Sequence, residues 1–158
     1  MLKRFLQLRT RRAAARALGL AFHRQRSFVA PAHLSLPNEN PLELPAEQEA
    51  IASDFINLIL DDEYGVRTIK NHPKTVLDIG ANVGLFSWHA MRHWPNARLL
   101  AFEPNPAAFE FAKRNAPTAD VRNAAVGLQT GFVELGGEED WRMGTVTQSI
   151  NGTIPSSP

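Results

Sequence analysis

With 158 residues, 44% of them hydrophobic and 21% charged, the chain is about the length of one globular domain. The absence of cysteine excludes disulfides, thiolate nucleophiles and Cys-based zinc sites together. The net charge of +1 conceals an asymmetry, since residues 1 to 38 hold eight Lys/Arg and no acid; this segment is +8 and the remainder −7, which excludes a folded body with the basic surface of a nucleic-acid binder.

The first 26 residues read as a helix of Leu, Ala and Arg, with Leu2, Phe5 and Leu6 toward one side. Arg16 and Arg24 interrupt its apolar stretches, so no run reaches the roughly 18 to 20 residues that span a bilayer. The stretch from Ala17 to Phe22 is also short for a signal-peptide core. Three readings stay open for this arm: a solvated extension, a helix in weak contact with a membrane surface through residues 1–26, and an organelle transit peptide. Lack of a secretion signal and of cysteine favours the cytoplasm, with peripheral membrane association as the variant. Pro31, Pro37, Pro41 and Pro45 then mark a linker or extended crossing, giving an arm and linker over residues 1–45 and a folded body over 46–158.

Residues 46 to 62 return to helical period through Ile51, Phe55, Leu58 and Ile59, and this helix is expected to pack on the sheet that follows. The chain then alternates: strand Thr75 to Ile79, helix Val83 to His93, strand Arg98 to Phe102, helix Pro106 to Asn115, strand Val121 to Val126. That order implies parallel strands with right-handed crossovers, an α/β, Rossmann-like doubly wound sheet. A shorter β stretch at Gly131 to Leu135, turn residues Gly136 and Gly137, an acidic cluster Glu138 to Asp140 and a polar tail follow.

The segment VLDIGANVG, from Val76 to Gly84, reads as a buried strand opening into a glycine turn and a helix, the geometry in which a nucleotide-like ligand lies across the carboxyl end of a sheet. Gly80 can take angles that a Cβ penalises by about 1 to 2 kcal/mol. Gly84 lets the helix and the ligand come near the strand, and Asn82 tolerates left-handed angles and can also cap the helix. Glu103, nineteen residues beyond Gly84 at the end of the second strand, can accept from both hydroxyls of a ribose. Each such charge-assisted bond is worth roughly 1.5 to 3 kcal/mol.

Spacing discriminates among adenosine cofactors. A dinucleotide fingerprint begun at Gly80 requires glycine at 82 and Gly or Ala at 85, where this chain has Asn82 and Leu85. No Lys or Arg lies between Lys74 and Arg92 to neutralise phosphates. S-adenosylmethionine carries a sulfonium and no phosphate, so Asp78 beside the turn suits it. His89 and His93 are four apart but lack a third ligand, and no metal is expected.

VLDIGANVGLFS, LLAFEPNPAAFEFAKRN and VRNAAVG, taken in order, resemble the FkbM-type family of class I S-adenosylmethionine-dependent methyltransferases, over about fifty of the 158 residues. The resemblance implies transfer of a methyl group to a hydroxyl of a sugar, polyketide or related small-molecule acceptor. It also implies that Asp78, Gly80, Ala81, Asn82 and Gly84 line the methionine and ribose side, that Glu103 holds the ribose hydroxyls, that Pro104 and Asn105 flank the adenine, and that Asn123 and Ala124 lie near its edge. Structural readings stand beside these: Asn105 and Pro106 form an N-cap and first-turn proline, and Trp88, Trp94, Phe109 and Phe111 pack helices on the sheet.

The family's Lys-x-Asp-x-Glu-Gly string does not occur before Pro158. The chain is therefore expected to be the N-terminal portion of such a domain, truncated after about the third strand, with Thr75 to Ile79 left as an open edge. The acceptor pocket and any general base are expected from further along, so no catalytic residue is assigned. Two alternatives remain: a non-catalytic S-adenosylmethionine-binding or interaction module, and a nicotinamide-dependent oxidoreductase.

Overall fold

The computed structural model describes residues 2–46, 49–128, 131–136, 145–149 and 154–157, with side chains described over residues 5–46 and 49–128. It divides into two compact units, Met1–Asn71 and His72–Pro158.

In the first unit, α1 (Leu2–Ala17) stops in a glycine cap. Gly19 takes φ 72°, its amide donates to Arg16 O at 3.0 Å, and the Leu20 amide reaches Ala15 O at 2.8 Å. This satisfies carbonyls that the helix end would otherwise orphan. Ala15, Leu18 and Phe22 are buried. A single 3-10 turn, Gln25–Ser27, leads to the proline-flanked segment, which forms a two-residue antiparallel ladder of β1 (His33–Leu34) with β2 (Leu42–Glu43) where the sequence suggested an extended crossing.

The helix expected over residues 46–62 is present as α2 (Glu49–Asp54), but it continues as a π-helical stretch, Phe55–Leu60, which packs on α1. The wider π turn changes the buried face: Ile51, Phe55 and Ile59 are buried as the period predicts, while Ile56 and Leu60 join them and Leu58 stays half-exposed. Arg11 fastens α1 to the end of this stretch, with Nε donating to Asp61 Oδ1 at 2.7 Å and a terminal nitrogen to Oδ2 at 2.6 Å.

The second unit opens with three parallel strands in the order β3 (Thr75–Ile79), β4 (Arg98–Phe102), β5 (Asp120–Arg122), joined through α3 (Leu85–His93) and α4 (Pro106–Asn115). The register pairs Val76 with Leu99 and Asp78 with Ala101, and these four buried residues share a face. On the opposite face of β3, Leu77 and Ile79 are 56% and 58% exposed, and among the described residues β3 is an edge strand, as expected. Trp88 and Trp94 are buried, matching the packing role expected of them, and the Arg92 guanidinium lies 4.5 Å from the Trp88 ring centre.

Two sequence expectations need correction. The strand placed over Val121 to Val126 is two: β5 ends at Arg122 and β6 (Ala125–Val126) belongs to another sheet. The break sits at Asn123, whose side-chain amide donates to Glu103 O at 2.8 Å and Pro104 O at 2.9 Å, turning the chain off the parallel ladder. The β stretch expected at Gly131 to Leu135 is present, but the stretch expected as a tail carries a further strand, Ile154–Ser157. β6, β7 (Gly131–Gly136), β8 (Thr145–Ser149) and β9 (Ile154–Ser157) form a mixed sheet in the order β6-β9-β7-β8. Glu138 to Asp140 lie outside the described residues. No helix of the described residues is long and apolar enough to cross a membrane.

Candidate functional site

The carboxyl ends of β3, β4 and β5 converge, and every residue singled out there from the sequence lies on one of these three ends or in the loops that leave them. The β3 end carries Asp78, 8% exposed, and then the turn Gly80 to Gly84. The turn cannot be built from ordinary residues, because Gly80, Asn82 and Gly84 take φ of 78°, 50° and 79°. It is fastened to β4 by the amides of Gly80 and Ala81, which both donate to Phe102 O at 2.9 Å.

Glu103, 5% exposed, sits at the junction. Its Oε2 accepts from the Asn82 backbone amide at 2.6 Å and its Oε1 from the Asn105 amide at 2.8 Å, while its own amide donates to Arg122 O at 3.0 Å. Asn123 closes the ring by donating to the carbonyls of Glu103 and Pro104. Thus one side chain ties the glycine turn to the loop after β4, and a second ties β5 to that same loop. Each oxygen of Glu103 retains lone-pair capacity for a further donor. Ala124 is buried behind Asn123 in the sequence. Asn105 is the N-cap of α4, accepting from Ala107 N at 2.9 Å and Ala108 N at 3.2 Å, with Pro106 in the first turn. The structural reading of Asn105 and Pro106 is therefore fulfilled.

The two turn glycines do different things. A Cβ on Gly80 would meet nothing within 4 Å, so its surroundings are open. A Cβ on Gly84 would lie 2.8 Å from Ala112 Cα, so the backbone there makes a close approach to α4. Asn82 does not cap α3 either: the cap position is Gly84, without a side-chain hydrogen bond, and α3 starts at Leu85 instead of Val83. Asn82 Oδ1 is buried with no hydrogen-bond partner. An orphaned acceptor at this depth costs on the order of 1 to 3 kcal/mol, which a donor arriving in the turn would recover.

Electrostatically the site is acidic and unneutralised. Burial pushes the Asp78 carboxyl above its ordinary range, and the Ser87 hydroxyl, donating to Oδ2 at 2.6 Å, only partly offsets this. Burial likewise raises Glu103 against the two amide bonds that hold its anion, and the neighbouring charge of Asp78 adds to the rise. No ion pair forms at either carboxylate among the described residues. Two buried carboxylates without a cation are unfavourable together unless a proton or a cationic group supplies positive charge.

Two residues of the site were not read from the sequence. Ser87 is fully buried on α3 beneath Asp78. Asn115, also fully buried, donates through Nδ2 to Val83 O at 2.7 Å and so holds the turn from α4. The signal for both was a polar residue in an apolar register: Asn115 follows Ala108 and Ala112 at helical spacing on the buried side, and Ser87 stands beside Trp88 and Leu85. His89 and His93 lie away from this cluster of loops on α3, with ring centres 4.5 Å apart and His93 Nδ1 3.0 Å from His89 O.

No family model matches the chain. Among curated proteins it is 34% identical over 89 residues to Methyltransferase sdnD of Sordaria araneosa, covering 55% of this chain and 34% of that protein. It is 36% identical over 64 residues to Methyltransferase 1 of Beauveria bassiana (strain ARSEF 2860), covering 40% of this chain and 24% of that protein. The chain thus spans a quarter to a third of the length of these curated relatives, and both carry the name methyltransferase.

Proposed function

We propose that the chain carries the S-adenosylmethionine-binding part of a class I, FkbM-type methyltransferase, built on one half of a Rossmann-like doubly wound sheet. The observation that carries this reading is the cradle at the three strand ends: two buried carboxylates without a cation, an orphaned Asn82 Oδ1, and open space over Gly80. The residues present fit a cationic ligand with an adenosine group. Glu103 would accept from ribose hydroxyls with the lone pairs left free by the Asn82 and Asn105 amides. Asp78, with Gly80 to Asn82, would face the positively charged methionine end, and Pro104, Asn105, Asn123 and Ala124 would border the adenine.

Bound there, the cofactor supplies a methyl group on an electrophilic sulfonium. The protein's own part is positional, since a transfer of this kind needs the acceptor oxygen in line at about 3 Å, and such alignment is worth about 7 to 11 kcal/mol. The acceptor in this reading is a hydroxyl of a sugar, polyketide or related small metabolite, and the setting is the cytoplasm. A nicotinamide cofactor fits less well: Asn82 at φ 50° fills the position of the middle glycine, buried Leu85 the position of the third, and the site is anionic where a pyrophosphate would lie.

Titration calorimetry with S-adenosylmethionine, S-adenosylhomocysteine and NAD tests the reading. The two sulfur ligands are expected to bind, and Glu103→Gln to weaken them by about tenfold or more, since a charge-assisted bond carries about 1.5 to 3 kcal/mol. Binding of NAD alone would overturn the assignment.

A further inference from the structure

The first unit contains a cavity of about 980 Å³ between α1, the 3-10 turn and α2. Nothing in the strand-end site uses it. One wall is apolar, made by Leu8, Phe22, Phe28 and Ile56. That wall is stiff, because the Phe22 and Phe28 rings stand 5.3 Å apart between centres and Phe28 stands 5.7 Å from Phe55 behind it. A second wall is polar and fixed: Arg11 is locked to Asp61 through two nitrogens, and its third donates to Gln25 Oε1 at 3.0 Å. Its charge is compensated where it stands.

The rim differs. Arg24 and Arg26 line the cavity, are exposed, and pair with no carboxylate among the described residues. Against these two guanidinium groups the described lining offers a single acid, Glu49. The cavity lining therefore combines apolar side chains with two guanidinium groups that pair with no carboxylate among the described residues.

We propose that this cavity is a binding site for an amphipathic carboxylate, a small molecule whose apolar body lies along Leu8, Phe22 and Phe28 and whose carboxylate is held by Arg24 and Arg26. The volume suits it, since pockets for molecules of drug size run from about 300 to 1,000 Å³. The planar guanidinium fork matches a carboxylate in two parallel hydrogen bonds. A lipid bilayer is the poorer occupant. The apolar residues here line a concavity, and among the described side chains of α1 only Phe5 and Leu6 are large, apolar and exposed, too few to seat a helix in an interface. The site is independent of the strand-end cradle and stands or falls without it.

The test is calorimetric titration of the full chain with decanoate below its micellar range, beside 1-decanol and decyltrimethylammonium of equal chain length. Decanoate should bind with saturable stoichiometry, and the two controls about tenfold or more weaker. The double variant Arg24→Gln/Arg26→Gln should weaken decanoate by about tenfold while leaving thermal unfolding unchanged, as both side chains are exposed. Equal affinity for decanoate and decanol, or no effect of the double variant, would overturn the proposal. So would sedimentation with phosphatidylglycerol vesicles that depends on Arg24 and Arg26 while decanoate fails to bind, which would make the arm a membrane-surface element.

Discussion

Exchanging each turn glycine for alanine should separate packing from ligand binding at two positions four residues apart. Both hold left-handed angles, φ 78° at Gly80 and 79° at Gly84, so each alanine carries a backbone penalty of about 1 to 2 kcal/mol. At Gly84 the new Cβ also sits 2.8 Å from Ala112 Cα, a backbone atom that cannot swing aside, and 3.3 Å from Ala112 Cβ. Overpacking of that kind adds typically about 1 to 3 kcal/mol, for about 2 to 5 in all. Gly80→Ala adds nothing beyond the backbone penalty, because its Cβ meets no atom within 4 Å. Urea unfolding followed by tryptophan fluorescence reads the second unit, which holds all three tryptophans of the chain. The expected order is wild type, then Gly80→Ala, then Gly84→Ala, with a further gap of about 1 to 3 kcal/mol between the variants. Binding should not follow that order: Gly80→Ala, placed in the open part of the turn, should weaken S-adenosylmethionine in protein that is still folded. Equal destabilisation by the two alanines would refute the close approach of α4 to the turn.

The carboxylates set a pH dependence of definite sign. Asp78 and Glu103 are both raised on folding, so the folded unit binds more protons than the unfolded chain above the ordinary carboxylate pKa of about 4. Stability without ligand should therefore fall as pH rises from there through the raised values, and urea midpoints across that window would show it. Asp78→Asn, which keeps an acceptor for Ser87, should flatten the fall and weaken the cationic ligand; a steeper fall in the variant would contradict the burial of an uncompensated charge. Asn115→Leu removes the donor to Val83 O and leaves that carbonyl buried and unmet, for a loss of about 1 to 3 kcal/mol, measurable in the same unfolding assay.

The turn from Gly80 to Gly84 and the acid at Glu103 were legible because they rest on local rules: a strand period, glycines at fixed spacing, a polar residue ending an apolar run. Asn105 was legible for the same reason, as a cap ahead of Pro106. What escaped depends on three-dimensional neighbours. Nothing local shows that Gly84 packs against α4, since Ala112 is brought there by the crossover. The π-helical stretch was hidden because Phe55 to Leu60 contains five large apolar residues and Asn57, which suit more than one helical period. The break after Arg122 was hidden because Asn123 acts through carbonyls twenty residues away. Asn115 and Ser87 were visible as polar residues in apolar registers, but their partners were not.

The bonds made by Glu103 bear on how drift would mark sequences of this kind. Its carboxylate fastens the turn and the α4 loop with no ligand present, so a sequence that bound nothing there would still lose two hydrogen bonds on replacing it. Gly80 is required by its φ of 78° alone, since a Cβ there would meet no atom within 4 Å. A glutamate at this position is thus, taken alone, a poor witness to chemistry.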